Sequence, residues 1–328
     1  MPGFPLIAYL AAFAAALMAT AASVPWWRRW CTRHGWVDDP GHRKIHASPM
    51  PLAGGWAVFT GVAVAVALGS GAVALGWGGP EATRLLSHGL GQRAPQGLAL
   101  LAGAAAMLGI GAWDDRHELR PAAKLALQVL VAVGVALAGV RVAPFVPSLA
   151  FSLVATVLWI LAVTNAMNLN DNMNGLCSGL AAMAAMAFAL VAARDGQYLA
   201  GTFGFAISGA FLGFLPFNFP RASAFLGDAG SHLAGYLLAT LALVPHLYSE
   251  RHGALRPAGV LIPLLILAVP FLDVAQVVAW RTLHRRPFWI GDTNHLSHRL
   301  ARTHLGRVGA VLVLWSVAAL LGTLAVLA

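Results

Sequence analysis

The sequence predicts an all-α fold, a polytopic membrane helix bundle of about ten transmembrane helices that forms one integral domain over residues 1–328. Three observations carry this. The chain is 59% hydrophobic and only 10% charged, where soluble domains average about 25% charged residues, and its mean hydropathy is +0.73. Apolar runs close to the ~20 residues that cross a bilayer as helix recur from end to end. Charged residues gather in the breaks between alternate runs.

The runs fall at 6–24, 52–77, 97–112, 122–139, 148–165, 175–193, 198–217, 230–248, 257–280 and 308–327. The first contains Ala19-Thr20-Ala21, a small-residue pattern that also closes signal peptides. No Lys or Arg precedes it and it is longer than a signal peptide's apolar core, so it reads as a span. The second follows a loop framed by Pro40, Pro49 and Pro51, with Gly54 and Gly55 allowing a close entry. An acidic break at 113–121 divides the third and fourth, and Lys124 stands in the first turn of the latter. An asparagine-rich break at 166–174 divides the fifth and sixth. Asp228 closes the break at 218–229 between the seventh and eighth, and a basic, histidine-rich break at 281–307 precedes the last span.

If alternate loops share a side, fifteen of the 21 Lys and Arg residues fall on the side of these five breaks and six on the other. Positive loops stay inside, so that side is cytoplasmic. Nine of the twelve acids and nine of the twelve histidines lie on or head towards the same face, although the charge rule does not require it. A formal charge of +9 could point to nucleic acid, but the cations sit in short loops between spans, which suits membrane lipids and anionic substrates and argues against nucleic acid. Cys31 and Cys177, far apart, support neither a disulfide framework nor a zinc site.

Each break carries a candidate site. Arg43, Lys44 and His46 sit in a stiffened loop that is either an anion site or an ordered topogenic segment. Asp114 and Asp115 are adjacent, and their mutual repulsion raises one pKa and makes that member a candidate proton acceptor or metal partner. Asn165, Asn168, Asn170, Asp171, Asn172 and Asn174 are costly in lipid unless paired or wet, so they are expected to line a polar cavity. Asp228 reads equally as a helix N-cap and as a phosphate or magnesium contact. His295, His298, Arg299 and Arg302 at helical spacing suit diphosphate oxygens, and they lack the ligand set of a zinc protease.

Together these stretches resemble the polyprenyl-phosphate N-acetylhexosamine-1-phosphate transferase family, in that family's order, from about Gly35 to Gly306. Asp38, Pro40, Arg43, Lys44 and His46 are similar to its first motif, Asp114, Asp115 and Lys124 to its paired-aspartate motif, and Asn165, Asn168, Asp171 and Gly175 to its asparagine motif. Asn218, Gly227, Asp228, Gly230 and Ser231 match its glycine-aspartate motif, and Asp273, His295, His298 and Arg299 its closing segment. The resemblance implies transfer of a HexNAc-1-phosphate, GlcNAc-1-phosphate first among them, from a UDP-sugar to polyprenyl (undecaprenyl) phosphate, with release of UMP. It implies Mg2+, with Mn2+ as the alternative, held by Asp228, Asn174 and Asp171. Asp114, Asp115 and Asp171 would be catalytic, and Lys44, Lys124, Asn168, Asn218, His295, His298 and Arg299 would bind substrate. A homodimer is compatible with it.

Two departures stand out. The bacterial pattern Asp-Gly-x-Asp-Gly is here Asp171-Asn172-Met173-Asn174-Gly175, so Asn174 can offer a neutral oxygen but cannot act as a base. In the histidine motif Ser297 replaces a His and Thr293 an Arg. The alternative readings are a polytopic transporter or a weakly active or inactive member of the same family. Transport is disfavoured because the spans are nearly free of charge and no internal repeat relates two halves.

Overall fold

A computed structural model describes residues 5–39, 48–77, 79–142, 148–243, 258–285 and 294–328. The described chain is an all-α bundle with one two-residue ribbon. Its helices are α1 (Leu6–Arg33), α2 (Gly54–Ala74), α3 (Gly79–His117), α4 (Pro121–Leu137), α5 (Leu149–Leu169), α6 (Leu176–Arg194), α7 (Tyr198–Asn218), α8 (Gly227–Leu243), α9 (Ala258–Ile266), α10 (Ala268–Leu283), α11 (Leu296–Ala301) and α12 (Gly306–Leu327). Within the described residues each predicted span falls mainly on helix. Seven of the described helices are long and apolar enough to cross a membrane by themselves, whereas α4 and the described part of α8 have 17 residues, or about 26 Å of rise.

Several boundaries differ from the sequence-based expectation. Helix α3 runs on to His117 and α5 to Leu169, so that Asp114, Asp115 and Asn168 stand in helix and not in the predicted breaks. Three further differences are larger or interrupt a span. Helix α1 runs through Pro25 to Arg33, nine residues beyond the predicted end, because the Trp-rich turn that follows is amphipathic enough to continue the helix where hydropathy falls. Trp27 there stacks on Trp56 at 5.1 Å, and Trp27 Nε1 donates to Thr60 Oγ1 at 3.0 Å. Helix α3 starts eighteen residues before the predicted 97, at Gly79. The ninth span is interrupted at Leu267, between α9 and α10. Pro270, with no N–H to give, leaves the Ile266 carbonyl without its usual helical partner there.

The centre of the bundle is α6, α7 and α8, whose facing surfaces are mostly Ala, Gly and Ser. Such surfaces let helix backbones approach closely, which is how packing holds helices together in lipid. The large apolar side chains that remain exposed, such as Leu10, Met18, Leu130, Val154, Leu158 and Leu320, lie on the outer helices and suit a lipid environment.

One end of the bundle is tied together through backbone. Strands β1 (Val37–Asp38) and β2 (Met50–Pro51) pair antiparallel. The Phe225 N–H donates to the Pro51 carbonyl at 3.0 Å, and the Gly54 and Gly55 amides donate to Phe225 and Leu226 carbonyls at 2.9 and 3.1 Å. The starts of α2 and α8 are thereby joined to the first loop, at the end of the bundle where α3 finishes and α4 begins.

Candidate active site

The site is assembled where α3 ends and α4 and α8 begin. Gly227 opens α8 with φ +72, and a Cβ there would come within 2.8 Å of Asp115 Oδ2, so both the backbone angle and the space call for glycine. With the carboxylate this close, Asp115 Oδ1 accepts from the Asp228 N–H at 2.7 Å and Oδ2 from the Ala229 N–H at 3.0 Å. These amides have no partner within their own helix, and a carboxylate also complements the positive end of the helix dipole. Asp115 therefore holds α8 by its N-terminus, with both oxygens engaged.

Its neighbour Asp114 does something different. Asp114 Oδ1 accepts from the Leu119 N–H at 2.7 Å, which closes the turn after α3. Oδ2 pairs with Lys124 Nζ at 2.6 Å. Lys124 also donates to Asp228 Oδ2 at 2.9 Å and to Asn168 Oδ1 at 3.1 Å, which uses all three hydrogens of the ammonium. Asn168 Nδ2 completes the ring by donating to Asp228 Oδ1 at 2.8 Å and to Ser231 Oγ at 2.9 Å. Within this ring the Asp228 side chain is more open than its ion-pair partners, 34% exposed against 16% for Lys124 and 9% for Asp114.

Asp171 follows α5 in the turn that leads to α6. Burial, reinforced by the Asp228 charge, pushes its carboxyl up to about 8; its residue surface is only partly covered, so water reaching it tempers that rise. Among the described residues no three His, Cys, Asp or Glu side chains form a metal-holding group. Magnesium, however, typically takes one or two carboxylates plus substrate phosphates and water, and Asp171 with Asp228 supplies such a hard-oxygen pair.

The remaining predicted residues divide clearly. Asn174 is exposed, and its amide is turned to the Pro220 carbonyl at 3.5 Å; no described contact joins it to Asp171 or Asp228. Asn218 is buried, accepting from the Gly175 N–H at 2.8 Å and donating to the Ala224 carbonyl at 3.0 Å, so it braces the start of α6. The asparagines do not line one cavity as expected: Asn165 donates to Gln128 at 2.8 Å, Asn170 to the Ala166 carbonyl at 2.9 Å, and only Asn168 joins the carboxylates. Their backbone positions point them to different helices. Lys44, with Arg43 and His46, lies outside the described residues.

His295, His298 and Arg299 are carried by α11 and the residue before it. His295 Nδ1 donates to Asp273 Oδ2 at 2.6 Å, and Asp273 Oδ1 accepts from the Leu296 N–H at 2.6 Å. Arg299 is exposed and His298 half-buried. Burial first, then the positive neighbours His295, Arg302 and Arg307, hold His298 below the ordinary histidine value.

Three further residues belong to this assembly: Asp273 and Ser231, which the sequence offers as motif matches without a role, and His232. Asp273 is 2% exposed inside a span; an ionisable residue within a membrane helix is a functional candidate by default, and that signal was present. Ser231, part of the glycine-aspartate motif, lies one turn after Asp228 on the same helix face. His232 Nδ1 donates to the Asp228 carbonyl at 2.6 Å, and nothing in the sequence distinguishes it from a histidine simply buried in the core.

One end of this bundle of apolar helices, where carboxylates, a lysine and neutral amides gather around Asp228, is the candidate active site of a membrane-embedded protein. Residues 97–246 match the model described as glycosyl transferase family 4. The chain is 31% identical over 320 residues to the probable undecaprenyl-phosphate N-acetylglucosaminyl 1-phosphate transferase of Bacillus subtilis (strain 168), covering 94% of this chain and 82% of the relative. It is 35% identical over 316 residues to the decaprenyl-phosphate N-acetylglucosaminephosphotransferase of Mycobacterium tuberculosis (strain ATCC 25618 / H37Rv), covering 88% and 75%. It is 25% identical over 317 residues to the undecaprenyl-phosphate alpha-N-acetylglucosaminyl 1-phosphate transferase of Escherichia coli (strain K12), covering 92% and 78%. The chain belongs to glycosyl transferase family 4 and is a multi-pass membrane phosphoglycosyltransferase.

Proposed function

We propose that this enzyme transfers GlcNAc-1-phosphate from UDP-GlcNAc to a polyprenyl phosphate, undecaprenyl phosphate in the first instance, at the cytoplasmic face of a bacterial inner membrane. An oxygen of the lipid phosphate attacks the phosphorus that bears the sugar, the bond from that phosphorus to the UMP oxygen breaks, and UMP leaves. A lipid-diphosphate-linked sugar remains, the kind of product that starts a cell-envelope glycan. The observation that carries this reading is the ring of Asp114, Lys124, Asp228 and Asn168 at one end of a lipid-facing bundle, together with relatives whose names specify this reaction class.

Each residue has a part set by its contacts. Asp228 and Asp171 fit as the carboxylates for magnesium, which when bound neutralises charge on the diphosphate and the leaving group. Lys124, bonded to Asp114, Asp228 and Asn168, exchanges one of these contacts for a phosphate oxygen and so steers the lipid phosphate. Asp114, whose carboxyl meets the Lys124 and Asp228 side chains, is better placed than Asp115, whose two oxygens are taken by backbone amides, to orient or accept a proton from that phosphate. Asp115 positions α8 and with it Asp228. His298 and Arg299 hold donor phosphate oxygens, and His295, fixed by Asp273, aligns that segment. Most of the catalysis is positioning and charge neutralisation, as expected for phosphoryl transfer.

The direct test uses purified protein with UDP-GlcNAc, undecaprenyl phosphate and magnesium, following UMP release. Lipid-dependent UMP formation supports the proposal; absence of UMP with every UDP-sugar of a panel would overturn it.

A further inference from the structure

Helix α11 has six residues, too few to hold a position by helical propensity alone. Side chains from two other elements fix it. On one side Asp273 of α10 accepts from His295 Nδ1 and from the Leu296 N–H, each at 2.6 Å. On the other side the Ser297 hydroxyl donates to Asn172 Oδ1 at 2.6 Å, while Asn172 Nδ2 donates to the Leu169 carbonyl at 2.9 Å. Ser297 is 2% exposed, so water does not compete for this bond.

The placement of the two partners gives the bond its meaning. Asn172 directly follows Asp171, and Ser297 directly precedes His298, yet they are 125 residues apart in the chain. Among the side-chain hydrogen bonds of the described residues, this one joins α11 to the Asp171 turn. Asn172 and Ser297 are also positions at which the two motifs depart from the pattern they otherwise resemble, a Gly and a His respectively. A glycine at 172 could accept nothing from α11 through a side chain, so the bond belongs to this chain's own pairing.

We propose that the Ser297–Asn172 hydrogen bond is a latch that sets the spacing between the Asp171 turn and the segment carrying His298 and Arg299, and that Ser297 is thereby a positioning residue for the nucleoside-diphosphate donor. The proposal rests on the transferase reading above, in which one end of the donor diphosphate meets Asp171 and Asp228 and the other meets α11. A donor gripped from two elements binds well only if their separation is set before it arrives, because misplacement by ~1 Å can cost about a hundredfold. The polyprenyl phosphate, steered by Lys124 and Asp114, does not depend on this spacing.

The test is a double-mutant cycle on the full-length protein with Ser297→Ala, Asn172→Ala and the pair, plus Ser297→Thr. The latch requires Ser297→Ala and Asn172→Ala each to raise KM for UDP-GlcNAc about tenfold, the cost of one well-made hydrogen bond, and the pair to raise it no further. KM for the lipid phosphate and the melting temperature stay near wild type, and Ser297→Thr, which keeps the hydroxyl, restores donor KM to within about twofold. An unchanged donor KM in Ser297→Ala, multiplicative losses in the pair, or equal losses for both substrates with a fall in melting temperature would each overturn the latch while leaving the transferase reading intact. A wild-type protein inactive with all UDP-sugars would instead remove the reading itself, and the latch with it.

Discussion

Asp115 and Asp273 perform the same local act in two parts of the site. Each reaches from inside a long helix and accepts a backbone N–H at the start of another, Asp115 from Asp228 and Ala229 at the head of α8, Asp273 from Leu296 at the head of α11. What they hold differs. Helix α8 is buried through the middle of the bundle, from Ala229 to Ala242, and the glycines at 55, 111 and 227 let α2, α3 and the Asp115 carboxylate crowd against its first turn. Helix α11 is a single short piece with Ser297 as its buried residue. The carboxylate side of the site is thus built into the bundle, while the histidine side packs on it through Leu296 and Leu300 of a single short helix and is oriented by side-chain bonds. Damage to the first should appear in folding and catalysis together, and damage to the second mainly in donor binding.

The largest effect is expected from Asp228→Asn, which keeps the shape and the Asn168 contact but removes the charge that Lys124 and a divalent cation meet. UMP release should fall by about a hundredfold or more with the melting temperature within a few degrees of wild type; near-normal turnover would refute its assignment as a metal carboxylate. Gly111→Ala comes next, because the added methyl would collide with the Asp228 carbonyl. Overpacking of this kind costs about 1–3 kcal/mol, so a thermal or denaturant melt should show clear destabilisation and activity should drop in step. An unshifted melt would show the first turn of α8 to be less tightly held than its contacts imply.

Asp115→Ala and Asp273→Ala form the direct comparison. Removing Asp115 leaves two backbone amides at the head of α8 without partners, a loss of about 1–3 kcal/mol, and it should lower both stability and turnover. Removing Asp273 should raise KM for the UDP-sugar with a smaller change in global melting, because α11 can loosen without opening the bundle. The reverse pattern would erase the distinction between the two regions. The smallest effect concerns pH. With His298 held below the ordinary histidine value, the unfolded chain binds this proton first as pH falls past about 6.5. The neutral imidazole's share of stability is present above that pH and lost below it, and His298→Asn should flatten this acid limb slightly. An NMR titration of His298 with a midpoint at or above the ordinary value would contradict the burial that its surroundings impose.

The membrane bundle was legible in the sequence because hydropathy and loop charge are summed over many residues, and small local irregularities do not disturb them. Pro25 and the low hydropathy of Trp26–Arg33 hid the last two turns of α1 for the opposite reason: the extension rests on particular contacts, such as Trp27 on Trp56. The site was legible in residue type more than in role. Asp114 and Asp115 are equivalent as neighbours in a sequence, but they sit about 100° apart around α3, so one faces Lys124 and the other the head of α8.

By itself the sequence determined that this chain spans a membrane, that most of its acids and histidines are expected on one side, and which motifs those residues form. These follow from how much apolar length lies between polar breaks. Only the tertiary structure decided which carboxylate binds backbone and which stays open, that five nearby asparagines serve five different neighbours, and that Ser297 meets Asn172. A hydrogen bond is made by direction and distance across helix ends, and those are set by the way small residues let the helices pack, not by any property local to the partners.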